Sequence, residues 1–196
     1  MGKVIAYEHM TLDGVMQAPA RPDEDTRDGF ALGGWAVAGS DPAMAQDVGR
    51  ATPRRGGLLL GRRTYEDFFE IWPKRGDNPF TNALNNQHKY VVSTTLEEPL
   101  PWVNSTLLRG DAAQAVAQLK AELDGDLVVL GSGQLLRSLM PHHLVDEYQL
   151  MIHPLVLGSG QRLFERGVPC ARFQLVHSQM TGTGVIMATY QEPVGQ

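Results

Sequence analysis

Two short runs carry the residue types that phosphate chemistry needs. The first is Leu58-Leu59-Leu60-Gly61-Arg62-Arg63-Thr64-Tyr65 and the second is Leu127-Val128-Val129-Leu130-Gly131-Ser132-Gly133-Gln134. In each, an apolar strand-like stretch ends in glycine and a helix start follows. A glycine lets the backbone approach a bound group, and the helix beyond offers unpaired N–H donors and the positive end of a dipole. Two such turns in one small chain point to a ligand with separated phosphates, such as a dinucleotide. The same pattern also fits two ordinary strand-to-helix turns with tight packing.

Other chemistry-bearing residues are more scattered. Asp13, in Thr11-Leu12-Asp13-Gly14, is either a turn former or an acid facing a ligand, since Asp-Gly is a common turn pair. Arg54, Arg55, Arg62 and Arg63 lie close enough in sequence to serve a local anion site. Glu66 and Asp67 suit the dipole of a helix start better than catalysis. His142, His143 and His153 have no zinc-type ligand spacing, and no metal site is expected. Tyr65, Phe68, Phe69 and Trp72 fall at helical spacing and read as core or interface; Trp35 is a candidate pocket wall. Cys170 reads as a small filler in a late loop.

These residues need elements to hold them. Strands are expected at 3–7, 58–60, 89–93, 105–108, 127–130 and 147–152. Two more, near 173–179 and 185–191, join through Thr181-Gly182-Thr183-Gly184, a hairpin signal. Helices are expected from Ser40-Asp41-Pro42 to near Thr52-Pro53, over 64–71 and over 134–140. Another follows Asp111, with Ala112, Val116, Leu119 and Leu123 on one face. Residues 17–34 and 74–87 read as loops. Alternating strands and helices imply one α/β domain spanning 1–196, with a mostly parallel central sheet, helices on both faces and an antiparallel C-terminal hairpin.

Composition removes several function classes. The 196 residues carry 42% hydrophobic and 20% charged residues, which suits a globular chain with its own core. A net charge of −5 argues against a nucleic-acid surface. One cysteine cannot form an intramolecular disulfide. No apolar run approaches the ~20 residues that cross a bilayer, and no leader pattern opens the chain, so a cytoplasmic protein is expected.

The motifs taken in order resemble the dihydrofolate-reductase-like family. The resemblance is strongest to the branch related to the C-terminal reductase domain of bifunctional riboflavin-biosynthesis proteins. It rests on Thr11–Gly14, Gly61–Tyr65, Val91-Val92-Ser93-Thr94-Thr95-Leu96 and Leu130–Gly133. Leu144-Val145-Asp146-Glu147, His153-Pro154-Leu155-Val156-Leu157-Gly158-Ser159-Gly160 and Gln161-Arg162-Leu163-Phe164 complete it. The resemblance implies a three-layer reductase fold that binds NADPH across the carboxyl ends of the central strands. Gly61, Arg62, Arg63 and Thr64 would then hold phosphate, and Ser93 and Thr94 would sit near the adenosine ribose and its 2′-phosphate. Gly131, Ser132, Gly133 and Gln134 would wrap the pyrophosphate, and Asp13 would face the nicotinamide and substrate.

The implied reaction is hydride transfer to a small heterocycle. It is most like the 5-amino-6-(5-phosphoribosylamino)uracil reductase step of riboflavin synthesis, in a homodimer joined near the C-terminal strands. Alternatives are a dihydrofolate or pterin reductase and a non-catalytic nucleotide-binding or regulatory protein. Thr94 stands where family members often have arginine; Arg62, Arg63 and Arg109 are the cations that could replace that charge. Asp41 and Asp47 lie where dihydrofolate reductases keep their acid. No zinc-deaminase signature is present. The stretch Gly131–Leu136 lacks the third glycine of a Rossmann fingerprint and follows a late strand.

Overall fold

A computed structural model describes residues 2–44, 56–76, 79–165 and 167–193. Eight strands form one sheet: β1 (Val4–Thr11), β2 (Gly57–Gly61), β3 (Lys89–Val92), β4 (Ser105–Leu108), β5 (Leu127–Leu130), β6 (Glu147–His153), β7 (Gln174–Met180) and β8 (Ile186–Gln191). Their order is β4-β3-β2-β5-β1-β6-β8-β7. Four α-helices lie wholly within the described residues: α1 (Arg62–Ile71), α2 (Pro79–Asn86), α3 (Ala112–Glu122) and α4 (Gly133–Leu139). Backbone contacts divide the chain into two compact units, and β1 contributes to both.

Unit 1 comprises Met1–Ile5 and Thr52–Val145. Its strands β2, β3, β4 and β5 pair in parallel, with Leu60 beside Val91 and Leu58 beside Val128. Leu58, Leu59, Leu60, Leu127, Val128 and Val129 are all buried, as strands covered on both faces must be. The parallel register brings Gly61, the last residue of β2, and Ser93 and Gly131, directly after β3 and β5, to the carboxyl ends of their strands. Helix α1 anchors through Tyr65, whose hydroxyl accepts the Trp102 N–H at 2.9 Å. Phe69 and Trp102 pack on the same ring.

Helix α2 replaces the loop expected over 74–87. Its C-terminus is held from outside by Lys89, a fully buried lysine. The ammonium donates to the carbonyls of Leu84, Asn85 and Gln87 at 2.7, 3.3 and 2.7 Å and lies 4.5 Å over the Trp102 ring. A cation on the last carbonyls suits the negative end of the helix dipole. Burial lowers its pKa to about 8.

Helix α3 begins where expected, with Asp111 Oδ1 accepting the Gln114 N–H at 2.9 Å. Its buried residues are Ala113, Val116 and Lys120, so the inward face is rotated from the 112/116/119/123 stripe. Strand β1 runs four residues beyond the expected end at Tyr7. Glu8 is buried there, so its polarity hides the continuation of the strand.

Unit 2 comprises Ala6–Ala51 and Asp146–Gln196. Strands β6, β8 and β7 are antiparallel, and β7 and β8 form the expected hairpin around Thr181–Gly184. Tyr148, Phe164 and Phe173 pack together. Val15, Ala18 and Phe30 form a small buried cluster, with Trp35 and Leu157 against it. The irregular segment after Gly14 is therefore folded over its own apolar residues. The helix expected from Ser40 begins at Pro42, with Asp41 Oδ1 accepting the Ala43 N–H at 2.8 Å. The rest of the expected helix, with Asp47, lies outside the described residues, as do Arg54 and Arg55. Cys170 is exposed, so it fills no core. No helix among the described residues is long and apolar enough to cross a membrane.

Candidate functional site

The two glycine turns meet in unit 1 through Ser132. Its Oγ accepts the Gly61 N–H at 3.0 Å and donates to Thr64 Oγ1 at 2.8 Å. Ser132 is the N-cap of α4 yet makes no cap bond to its own helix, and it sits left-handed at φ 64, ψ 42. That conformation costs a non-glycine residue roughly 1 kcal/mol. Gly131, at φ 62, precedes it in the same region, where glycine carries no such cost.

Gly61 adopts φ −77, ψ 160, open to any residue, and a Cβ there would meet Ser132 only at ordinary contact distance. Its N–H is already used by Ser132. The open donors at this turn are the first N–H groups of α1, from Arg62 to Thr64, which a helix leaves without internal acceptors. Gly61 has no side chain with which to cap them. Thr64 Oγ1 accepts from Ser132, so its own proton is free to point elsewhere. Arg62 pairs with Glu66 at 2.8 Å along the helix. Glu66 therefore lies in the second turn of α1, because the helix starts two residues earlier than expected.

Ser93 follows β3 and is buried; its Oγ accepts the N–H groups of Thr95 and Leu96 at 3.1 and 3.0 Å. This turn leaves Thr94 exposed. The Ser93 N–H donates to the Leu108 carbonyl at 3.2 Å, so Arg109, exposed and next in chain, stands beside the Ser93 turn. Backbone N–H groups at α1, the hydroxyl of Thr64, an exposed Thr94 and a nearby arginine fit a phosphorylated dinucleotide.

Unit 2 holds Asp13 in a tight clasp. Its carboxylate accepts from the Thr11 hydroxyl at 2.6 Å and from the N–H groups of Leu157 and Gly158 at 3.2 and 2.9 Å. Arg162 adds bonds to the carboxylate at 3.3 Å and to the Asp13 carbonyl at 2.8 Å. The Thr11 bond, followed by those from the backbone, holds the carboxyl at about pKa 2. Gln17 ties the same loops, accepting the Gln161 N–H and donating to the carbonyls of Asp25 and Arg27. Trp35 donates from Nε1 to the Gln17 carbonyl at 2.8 Å, so its ring is part of this packing.

The sequence patterns missed a pair of histidines. His9 Nδ1 and His153 Nε2 lie 2.9 Å apart and share one proton. Trp35 meets the His153 ring edge-on, with centroids 5.2 Å apart. Burial, then the neighbouring His153, lowers the His9 pKa to about 4; burial also lowers that of His153. The only sequence signal was two histidines close to the ends of their strands, too weak without the register.

A mixed sheet that is parallel through β2–β5 and ends in an antiparallel hairpin, with two glycine turns after its strands, defines the dihydrofolate-reductase-like class. Residues 2–187 match the RibD C-terminal domain family, and the chain belongs to it. It is 25% identical over 177 residues to the Bacillus subtilis protein YyaP, covering 84% of this chain and 89% of that one. A protein from Shewanella sp. assigned to riboflavin biosynthesis superposes with TM-score 0.67 at 21% identity, covering 97% of this chain and 99% of that one. Dihydrofolate reductase from Enterococcus faecalis, in complex with NADP(H) and RAB-propyl, gives TM-score 0.59 at 13% identity, covering 97% and 96%. RibD from Acinetobacter baumannii gives 0.61 at 14% identity, and this chain spans 58% of its length.

Proposed function

We propose that the chain is an NADPH-dependent reductase acting on a small heterocycle or its ribosylamine. The nearest precedent is the reduction of 5-amino-6-(5-phosphoribosylamino)uracil. One observation carries the reading: in a chain of this family, Gly61–Thr64, Ser93–Thr94 and Gly131–Gln134 gather at the carboxyl ends of parallel strands, where α/β sheets bind ligands. Arg62, Arg63 and Thr64 would hold one phosphate, Gly131 to Gln134 the pyrophosphate, and Thr94 with Arg109 the 2′-phosphate. When bound, the reduced nicotinamide supplies a hydride.

The protein's own work is to orient the reactants, exclude water and manage one proton. Asp13 suits the first of these tasks. A carboxyl held at about 2 is ionised at neutral pH, and its acceptor sites are spent on the 157–158 loop. We therefore read Asp13 as the clasp that shapes the substrate-side loop. The exposed edge strand β7 would carry the homodimer contact.

The test is titration of NADPH and NADH followed by emission from Trp35, Trp72 and Trp102, then NADPH oxidation with the ribosylaminopyrimidine and with dihydrofolate. Tight NADPH binding with turnover of the first substrate supports the reading. Binding without turnover of any heterocycle favours a nucleotide-binding module, and binding of neither nucleotide by folded protein removes the cofactor site.

A further inference from the structure

The His9–His153 pair and the segment that closes over it lie wholly in unit 2. His153 is 1% exposed; Trp35 meets its ring edge-on, and Gly39 lies over Nδ1. A Cβ on Gly39 would stand 2.6 Å from that nitrogen and 3.0 Å from Val185 Cγ2. Gly39 ends a short 3-10 turn, Val37–Gly39, whose Val37 is exposed. This strap reaches the β7–β8 hairpin through two bonds. The Thr183 hydroxyl donates to the Gly39 carbonyl at 2.8 Å, and the Gly182 N–H donates to Asp41 Oδ2 at 3.0 Å. Behind it, the Ala36 N–H donates to the Pro19 carbonyl at 3.0 Å.

Nothing in this packing favours a cation. On β1, Tyr7 is edge-on to His9, while Glu8 leaves the strand on the opposite face. On β6, Met151 shares the face of His153, and the hairpin contributes Val185. From the strap come Trp35 and Gly39, and the Asp41 carboxylate is held by the Ala43 and Gly182 N–H groups. Among the described residues, the ionisable group bonded to either ring is the other ring. Their bond of 2.9 Å needs one protonated nitrogen and one bare one. A first added proton puts a charge in a site without a counter-charge, and a second leaves two donors face to face. His153 Nδ1 meets water only where Gly39 has moved away. Proton uptake there and release of the strap are therefore one event.

We propose that residues 36–41 form an acid-released latch: protonation of the His9–His153 pair frees the strap from His153 and from the Thr181–Gly184 turn. The latch requires no assumption about the reaction that the protein performs. Closed, the pair is neutral; open, each ring meets water and regains an ordinary imidazole pKa. Burial lowers both values in the closed state, so the open state binds more protons below about 6.5 and falling pH favours it. With His9 at about 4 closed and 6.5 open, the open population should rise about 20-fold between about pH 7 and about pH 5.

Amide hydrogen exchange, corrected for the intrinsic effect of pH, reads this opening. The Gly39 and Ser40 N–H groups, bonded to the Ala36 and Val37 carbonyls, and that of Gly182 should lose protection about 20-fold over that interval. Amides of β6 and β8 should lose much less. Unchanged protection at the three positions overturns the latch, and so does an equal loss across unit 2, which is unfolding rather than release.

Three variants assign the cause. Gly39→Ala should open the strap already at neutral pH, because its methyl takes the space over Nδ1; wild-type protection in this variant overturns the seal. The double variant His9→Gln with His153→Gln should show equal protection at both pH values, and a surviving dependence overturns the role of the pair. Asp41→Asn should loosen the strap yet keep the dependence on pH; if it abolishes that dependence, the carboxylate and not the imidazoles is the switch. Should the double variant fail to fold, wild type and Gly39→Ala still decide.

Discussion

The Ser132 hydroxyl donates to Thr64 Oγ1 at 2.8 Å across 68 residues of sequence, and the same oxygen accepts the Gly61 N–H. One side chain thus sets the spacing of both glycine turns. Ser132→Ala should weaken NADPH binding about tenfold, the equivalent of one or two ordinary hydrogen bonds. Ser132→Gly should melt higher than Ser132→Ala, because it sheds about 1 kcal/mol of left-handed strain. Its affinity should stay as weak. Tryptophan titration and thermal melts measure the two effects separately. Wild-type affinity in both variants would show that the turns hold their spacing without the hydroxyl.

Asp13 offers a direct contrast between clasp and acid. As a clasp, Asp13→Asn keeps one carbonyl oxygen for the Leu157 and Gly158 N–H groups and should retain a substantial part of kcat. Asp13→Ala should lose more and should raise hydrogen exchange at Leu157 and Gly158. The folded pKa of about 2 lies below the ordinary value near 3.8, so the unfolded chain binds more protons between those pH values. The carboxylate's stabilisation is therefore present above about 3.8 and disappears as the pH falls toward 2. Equal loss of kcat in both variants, with an undisturbed loop, would return Asp13 to chemistry.

The histidine pair loses stability in the same direction, with falling pH, but in a higher window. His9 has a folded pKa of about 4 against 6.5 when unfolded, so the unfolded chain takes up the proton first as pH falls. Stability is expected to drop between about 6.5 and 4 and to level off below, by on the order of 3 kcal/mol from this ring. Urea unfolding at neutral pH and near pH 4 measures it, with His9→Gln as the comparison. The variant should lose much less stability over that interval. Parallel curves would mean that the ring titrates normally in the folded protein.

Local pattern made the parallel strands and both glycine turns legible, because Leu58–Leu60 and Leu127–Leu130 are apolar on both faces and each is followed by a helix start. Helix α2 was not legible. Its polar run is secured by Lys89 from the neighbouring strand and by Trp102 Nε1, which donates to Asn85 Oδ1 at 2.8 Å. These are partners that no local window contains. The end of β1 was hidden for a related reason, since Glu8 and His9 look like loop residues until burial and pairing are known. In the site, spacing nominated Gly61, Thr64 and Ser132 but gave no hint that Ser132 spends its hydroxyl on the other two. His9 and His153 are 144 positions apart and met only through the sheet.

Cofactor choice should depend on Arg109. Thr94 supplies no charge at the turn after β3, whereas Arg109 follows Leu108, whose carbonyl accepts the Ser93 N–H. Arg109→Ala is expected to weaken NADPH binding about tenfold, the scale of one charge-assisted contact, while NADH binding changes little. Added salt should narrow the wild-type preference, as it does for exposed charge pairs. If NADPH and NADH weaken together, Arg109 acts on the fold of the turn; if neither changes, the 2′-phosphate is held by Arg62 or Arg63.

Every residue of β7 is exposed, including Leu175, Val176 and Met180, and the strand lies at the edge of the sheet. An edge strand with apolar side chains and unpaired backbone groups readily accepts another strand. In the proposed homodimer a second copy covers it, burying Leu175 and Met180 with their partners. Leu175→Lys combined with Met180→Lys should shift the dimer to monomer in sedimentation at micromolar concentration. Each unpaired charge would enter the contact at a cost of several kcal/mol, well above what one rim contact contributes. The substitutions lie outside the nucleotide turns, so NADPH affinity should persist in the monomer. A dimer that survives both lysines would place the contact on another surface.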